Sequence, residues 1–457
     1  MRERPWKLIQ WKQAPRSKFV DAVSSVGTLA ATAELYSPFV KDASPQQEAE
    51  ILLCAAAEIE HALLVEYLYA AWSLGPDAGD LQSAITTVAV QEMCHLITVQ
   101  NLLLALGAKP YFGRQDDIPH PDLDPFPFHL RPFRKHPVLE EFLLAEMPPL
   151  DQMDEDQQKL MRPIVDAHKL DPRFHRVAMI YARLFWLFQQ SDKPTDPWPQ
   201  IAGLHFAPGF HIDSFSSFGS ANTFQADRAL EMRAWHAGYR RGGVFEVIDS
   251  REAALQVLHD IAAQGEGLAA SNNSHFEVFF GILTGFDQVP ASGFLSVPTD
   301  PTISDTACAK PDTELNRITN KLAVALCDVF DVRYRIMLAC LRTALSRDRS
   351  NVTDAPVRTK YIQWALEEMQ SAIRPLAGTI TSLPRKNDGN TKLLAGPMFR
   401  LGGLDLPDDP VSLDLKVKQL YLEGAKAIAA ALNIPPDRIT AQTLQDMLDR
   451  DNQRFRE

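Results

Sequence analysis

Apolar residues recur along this chain at spacings of three and four over long stretches, which predicts helices rather than strands. Ser44-Pro45-Gln46-Gln47 supplies a capping residue, a proline at the first helical position and a glutamine at the third, so a helix is expected from there to about Leu74, before Gly75-Pro76. A second runs from Asp80 to near Gly107. Each is roughly 40 Å long at 1.5 Å per residue, a length usual for a bundle. Residues 108–150 hold seven prolines before Pro148-Pro149 and read as a long crossover on the outside, with a short apolar segment from Val138 to Met147. A third long helix is predicted over Phe174–Gln190, and it contains no Asp or Glu. Ser250–Glu266 gives a fourth. It ends in Gln264-Gly265-Glu266-Gly267, and a helix restarts after the cap-type run Ser271-Asn272-Asn273-Ser274, so the fourth bundle position is broken in two.

The expected architecture is all-α. Residues 1–43 form an N-terminal arm with one weakly amphipathic patch, Phe19–Leu35. Residues 44–287 form the bundle, with a loop-rich insertion over about 191–243. A Pro/Ser/Thr/Asp-rich linker, 288–315, leads to a C-terminal helical region, 316–457, with amphipathic stretches at about Leu315–Arg347, Ala355–Leu383 and Ser412–Leu432 and a polar tail from Thr440 to Phe455.

Several polar residues fall on the apolar stripes. In the second helix Ile85, Val88, Val99, Leu102 and Leu106 mark the buried face, and Glu92 and His95 lie on it. In the first, Glu60 interrupts the stripe of Leu53, Ala57, Leu64, Tyr67 and Ala71, whereas Glu58 and His61 lie to either side. Burying an unpaired carboxylate costs several kcal/mol, so such positions either share protons or hold a cation. Glu-x-x-His, one turn apart, is the spacing of carboxylate-bridged metal sites in bundles. Glu266 extends the face of Leu255, His259 and Ala262, and His275 faces it across the break. The candidate ligands are therefore Glu60, Glu92, His95, Glu266 and His275; carboxylates and imidazoles without thiolates suit iron (one ion or two) or manganese, with zinc as an alternative. A proton-sharing pair of buried carboxylates is the competing reading. His205 and His211 read as loop histidines, His259 as core or supporting, and Glu367-Glu368 as a solvated face.

Composition narrows the partners. A net charge of −12 and a pI near 5.5 argue against nucleic acid or an anionic membrane surface, and leave a small-molecule substrate and a homo-oligomer as the expected associations. Five scattered cysteines without a C-x-x-C pair, and no signal-peptide-like start, suggest a cytoplasmic protein.

Ala57-Glu58-Ile59-Glu60-His61, Tyr67-Leu68-Tyr69-Ala70, Gln91-Glu92-Met93-Cys94-His95, Gly265-Glu266-Gly267 and Ser274-His275-Phe276 resemble the ferritin-like superfamily. Within it, they resemble the bacterial family containing the imino-acid (iminophenyl-pyruvate) dimer synthase domains of violacein and rebeccamycin biosynthesis. The resemblance implies a ferritin-like four-helix bundle with Glu60 as the first-helix ligand, Glu92 as a bridging carboxylate beside His95, Glu266 and His275 completing the set, and Tyr67 as a catalytic aromatic neighbour. It implies a non-haem metal oxidase acting on a small, amino-acid-derived molecule; a family member whose site has decayed is the alternative, and iron storage a weaker third. One departure bears on this choice. Where relatives carry a third-helix glutamate, this chain has Met179, or Arg183 one turn on, which predicts one carboxylate fewer and favours a single metal or none.

Overall fold

The computed structural model describes residues 40, 42–114, 128–168, 176–190, 209–213, 215, 242–244, 248–265, 274–303, 316–347 and 351–455. Most of the arm and of the insertion, His205 and Glu266 lie outside these residues, as does the side chain of Met179.

Among the described residues the fold is helical throughout, with isolated bridges but no strand. Helices α1 (Pro45–Trp72) and α2 (Gly79–Ala105) are the expected long pair. Ser44 closes a reciprocal capping box with Gln47, and Pro45 occupies the first turn, where its missing N–H costs nothing. The short connection through Pro76–Ala78 turns the chain back on itself, so α1 and α2 pack antiparallel. By length and hydropathy the Pro76–Ala105 stretch could cross a membrane, a property the sequence reading did not assign to it, but it is buried here as a core helix.

Three shorter helices follow: α3 (Glu140–Glu146), α4 (Glu155–His168) and α5 (Arg176–Phe188). Of these α4 was not foreseen. Its apolar face is narrow, with only Met161 and Val165 buried, and Pro163 interrupts its sequence. Helix α5 packs on α1 and on α6 (Arg251–Gln264), while α7 (His275–Gly285) lies against α3 and α2. Ser250 and Ser274 cap α6 and α7 by accepting from the backbone N–H groups of Ala253 and Glu277.

The C-terminal region comprises α8 (Lys321–Leu345), α9 (Asp354–Glu368), α10 (Arg374–Ile380), α11 (Pro410–Leu432) and α12 (Arg438–Arg454). It joins the bundle through an aromatic seam. Trp72 stacks on Phe399, and Phe330 and Tyr334 meet Phe399 edge-on. Glu368 corrects the expectation of a solvated face. It is buried and accepts from Arg333, Arg454 and Tyr421, an ionic knot that the sequence concealed because its partners come from α8, α11 and α12.

Candidate metal centre

Helix α1 carries Glu60 and α2 carries Glu92 and His95, all pointing into the antiparallel seam and none more than 1% exposed. His275, in the first turn of α7, faces the same spot and is fully buried. The fifth member is Glu146, the last residue of α3, 1% exposed.

These five side chains form two triads, Glu60–Glu92–His95 and Glu92–Glu146–His275, within each of which the donor atoms lie inside 4.8 Å of one another. Glu92 belongs to both. His95 Nδ1 is 3.0 Å from Glu92 Oε2 and 3.4 Å from Glu60 Oε2. On the other side His275 Nδ1 is 2.9 Å from Glu92 Oε1 and 3.4 Å from Glu146 Oε2. The two halves have similar spacings, Glu92 offers one carboxylate oxygen to each, and the imidazole rings stack 5.4 Å apart.

The arrangement fits ions better than protons. Two donors each about 2.1 Å from one ion sit ~3.0–3.4 Å apart in octahedral or tetrahedral coordination, the spacing observed here. Glu60 Oε2, Glu92 Oε1, Glu146 Oε2 and both ring nitrogens of His275 are buried without a hydrogen-bond partner. Native proteins rarely leave such atoms unsatisfied, and the three carboxylate oxygens and His275 Nδ1 converge on the two triads, while His275 Nε2 points away from them. The other oxygen of each outer carboxylate is taken. Tyr181 on α5 donates to Glu60 Oε1, and Tyr67 on α1 donates to Glu146 Oε1. Tyr67 was expected beside Glu60; the structure places it on Glu146 instead, in a cluster with Phe142 and Phe279 at ring separations of 4.6 and 5.3 Å.

Without a metal the cluster must trap protons. Burial, reinforced by the charge on Glu92, pushes Glu60 up to about 8, and burial pushes Glu146 up to about 7 against the pull of His275. Burial also acts on Glu92, but the facing His275 and His95 hold it well below the usual carboxylate range. Burial opposes charge on the imidazoles, yet their carboxylate neighbours lift His95 to about 10 and His275 to about 9. A group whose pKa is raised by folding stabilises the fold less as pH climbs from its unfolded value through its folded one. Metal-free protein is therefore expected to lose stability steadily between about pH 4.5, where the carboxyls begin to ionise in the unfolded chain, and about pH 10, where His95 loses its proton in the folded one, as followed by thermal denaturation. Metal displaces these protons, so apparent affinity for a divalent ion rises by about tenfold per pH unit for each proton released.

Gly265, the C-cap of α6, is the backbone that closes over the pair of imidazoles. A Cβ there would lie 3.2 Å from His95 Cε1 and 3.5 Å from His275 Nδ1. Gly265→Val is expected to force both rings aside and weaken metal binding at least ~10-fold while leaving helix content unchanged, as read by metal titration and circular dichroism.

Of the residues expected at the site, the structure brings together Glu60, Glu92, His95 and His275; Glu266 lies outside the described residues. Glu146 was missed, though Leu139, Phe142, Leu143 and Glu146 share one buried stripe, the same signal that exposed Glu60 and Glu92. It supplies the third carboxylate that α5 lacks. Arg183 does face inward, but its guanidinium is committed to Glu48, not to the centre. His61 pairs with Tyr334 away from the site, His211 Nδ1 meets the Trp186 carbonyl, and His259 is 30% exposed beside Asp260 rather than in the core.

Comparison with known proteins agrees with this architecture. The chain is 24% identical over 394 residues to dichlorochromopyrrolate synthase of Lentzea aerocolonigenes, an alignment covering 75% of this chain and 35% of that protein. The chain thus spans about a third of that relative's length. No solved structure matches it significantly. The family model described as Ferritin-like matches residues 53–284, which run from within α1 into α7 and take in every residue of the two triads, and the chain belongs to the Ferritin-like family.

Proposed function

We propose that this protein is a non-haem metalloenzyme that binds two ions, iron or manganese, in the paired triads and uses dioxygen or peroxide to oxidise a small organic substrate. The observation that carries the reading is the sharing of Glu92 between two carboxylate–imidazole triads whose remaining donor atoms have no other partner. Three carboxylates and two imidazoles form a donor set suited to these metals. A decayed site loses its motive, because Glu146 takes the place of the carboxylate absent from α5.

In this reading Glu60 and His95 hold one ion, Glu146 and His275 the other, and Glu92 spans them. When bound, such a pair supplies redox equivalents for oxygen or peroxide chemistry. The chain's contribution is positional. Tyr181 and Tyr67 each occupy one oxygen of an outer carboxylate, so only the second oxygen is turned to an ion and the carboxylate cannot rotate away. Tyr67, Phe142 and Phe279 form an aromatic wall beside Glu146 that keeps water from that flank. Likeness to dichlorochromopyrrolate synthase supports an amino-acid-derived substrate. The acidic net charge of −12 favours a small molecule over nucleic acid or an anionic membrane, and the buried free thiols of Cys94, Cys327 and Cys340 favour a reducing, cytoplasmic setting.

The test is oxygen uptake. Protein loaded anaerobically with Fe(II) and mixed with oxygenated buffer is expected to consume dioxygen faster than free Fe(II) at equal concentration, with a further increase when aromatic amino acids or their imines are supplied. Uptake no faster than that of the free ion would sink the redox reading.

A further inference from the structure

One side chain outside the two triads touches a donor ring and has no role so far. Gln264, the last residue of α6, places Oε1 3.0 Å from His95 Nε2, while its Nε2 donates to the Gly242 carbonyl at 2.8 Å. A carbonyl can only accept, so the second bond fixes which end of the amide is which: NH2 faces Gly242, and oxygen faces the ring. An oxygen there demands a proton on His95 Nε2. In the neutral ring that binds metal, the lone pair is then left on Nδ1, the atom that faces Glu60 and Glu92.

The other end of this linkage is also anchored. Gly242 sits at φ +75°, and a Cβ there would come within 3.6 Å of the Gln91 side chain. Thr98 on α2 donates to the Val244 carbonyl at 3.0 Å. The 242–244 segment is therefore tied to α2 at one point and to α6 through Gln264 at another. His275 has no such support, since neither of its ring nitrogens has a hydrogen-bond partner.

We propose that Gln264 is a positioning residue for the metal centre: it holds His95 in its Nε2–H form, makes Nδ1 the ligand atom, and links that choice to the Gly242 backbone. The inference rests on the metal-binding reading above. The chemistry has a reason to use an amide. A carboxylate at this position would add a further negative charge to a cluster in which the described residues already set three carboxylates against two imidazoles, whereas Gln264 selects the tautomer without adding charge. It also acts on one half alone, so the two triads are built to differ although their donors match.

Zinc chloride is the probe, because it is redox-silent and binds such sites at least as tightly as iron or manganese. Zinc titration and 15N spectra of histidine-labelled protein are compared for wild type, Gln264→Met and Gln264→Glu, with His95 signals assigned by their loss in His95→Gln. Wild type is expected to bind zinc with His95 metallated at Nδ1 and protonated at Nε2. Gln264→Met is expected to lose ~10–100-fold in affinity at one half-site and to show His95 in more than one metallated form. Gln264→Glu keeps an acceptor for Nε2–H but loses the donor to Gly242, so it is expected to restore the single Nδ1-bound form. A merely structural role would show no such rescue, because both variants break the Gly242 bond. Zinc binding by wild type with unchanged affinity and tautomer in Gln264→Met overturns this proposal alone. Failure of wild type to bind zinc overturns the metal centre with it.

Discussion

Glu92→Gln is expected to abolish metal binding in both halves of the centre, whereas His95→Ala removes it from one. Glu92 presents Oε2 to His95 and Oε1 to His275, so it is the one donor common to the two triads. An amide keeps the shape but exchanges one anionic oxygen for an NH2 group that cannot ligate, and it removes the charge that two imidazoles face. The affinity lost should exceed the ~10–100-fold that follows loss of a hydrogen-bond partner behind a ligand. Metal content after anaerobic loading and desalting checks this: near the wild-type value halved for His95→Ala, near background for Glu92→Gln. Equal losses in the two variants would mean that Glu92 does not bridge.

Arg183→Met is expected to destabilise the fold by ~3–5 kcal/mol and to leave metal content unchanged. The Arg183 guanidinium approaches both Glu48 oxygens, at 2.6 and 3.3 Å, with neither side chain exposed. Truncation deprives a buried carboxylate of its guanidinium, which is far more costly than losing a surface pair. Glu48 and Glu60 are three turns apart on α1, about 18 Å along its axis, so the damage should stay local. Chemical denaturation of Arg183→Met and of the double variant Glu48→Gln/Arg183→Met reads it out; the double variant should recover part of the loss. Metal loss at unchanged stability would put Arg183 at the centre after all.

The long helices were legible because their signals are redundant: a capping box, sustained periodicity and a Gly-Pro stop all bound α1. Glu60, Glu92 and His95 were legible for a related reason, since a carboxylate on an apolar stripe conflicts with burial unless something compensates it. Glu146 obeys the same rule but sits in a seven-residue helix flanked by prolines, where a stripe has only two turns in which to declare itself. Reading that stretch as a connection hid the third carboxylate. The sequence points instead to α5 for that ligand, and α5 contributes Tyr181. Arg183, Gln264 and the Glu368 knot share a different difficulty. Each is defined by a partner more than fifty residues away in sequence, and single-chain periodicity says which face a residue occupies but not what waits there.

The central claim is that two ions lie on either side of one carboxylate. Anomalous diffraction at the iron edge, from crystals of Fe(II)-loaded protein, tests it most directly. Two peaks flanking Glu92, one toward Glu60 and His95 and one toward Glu146 and His275, are the expected result. A single peak away from Glu92, or none in crystals whose fluorescence confirms bound iron elsewhere, would contradict the account.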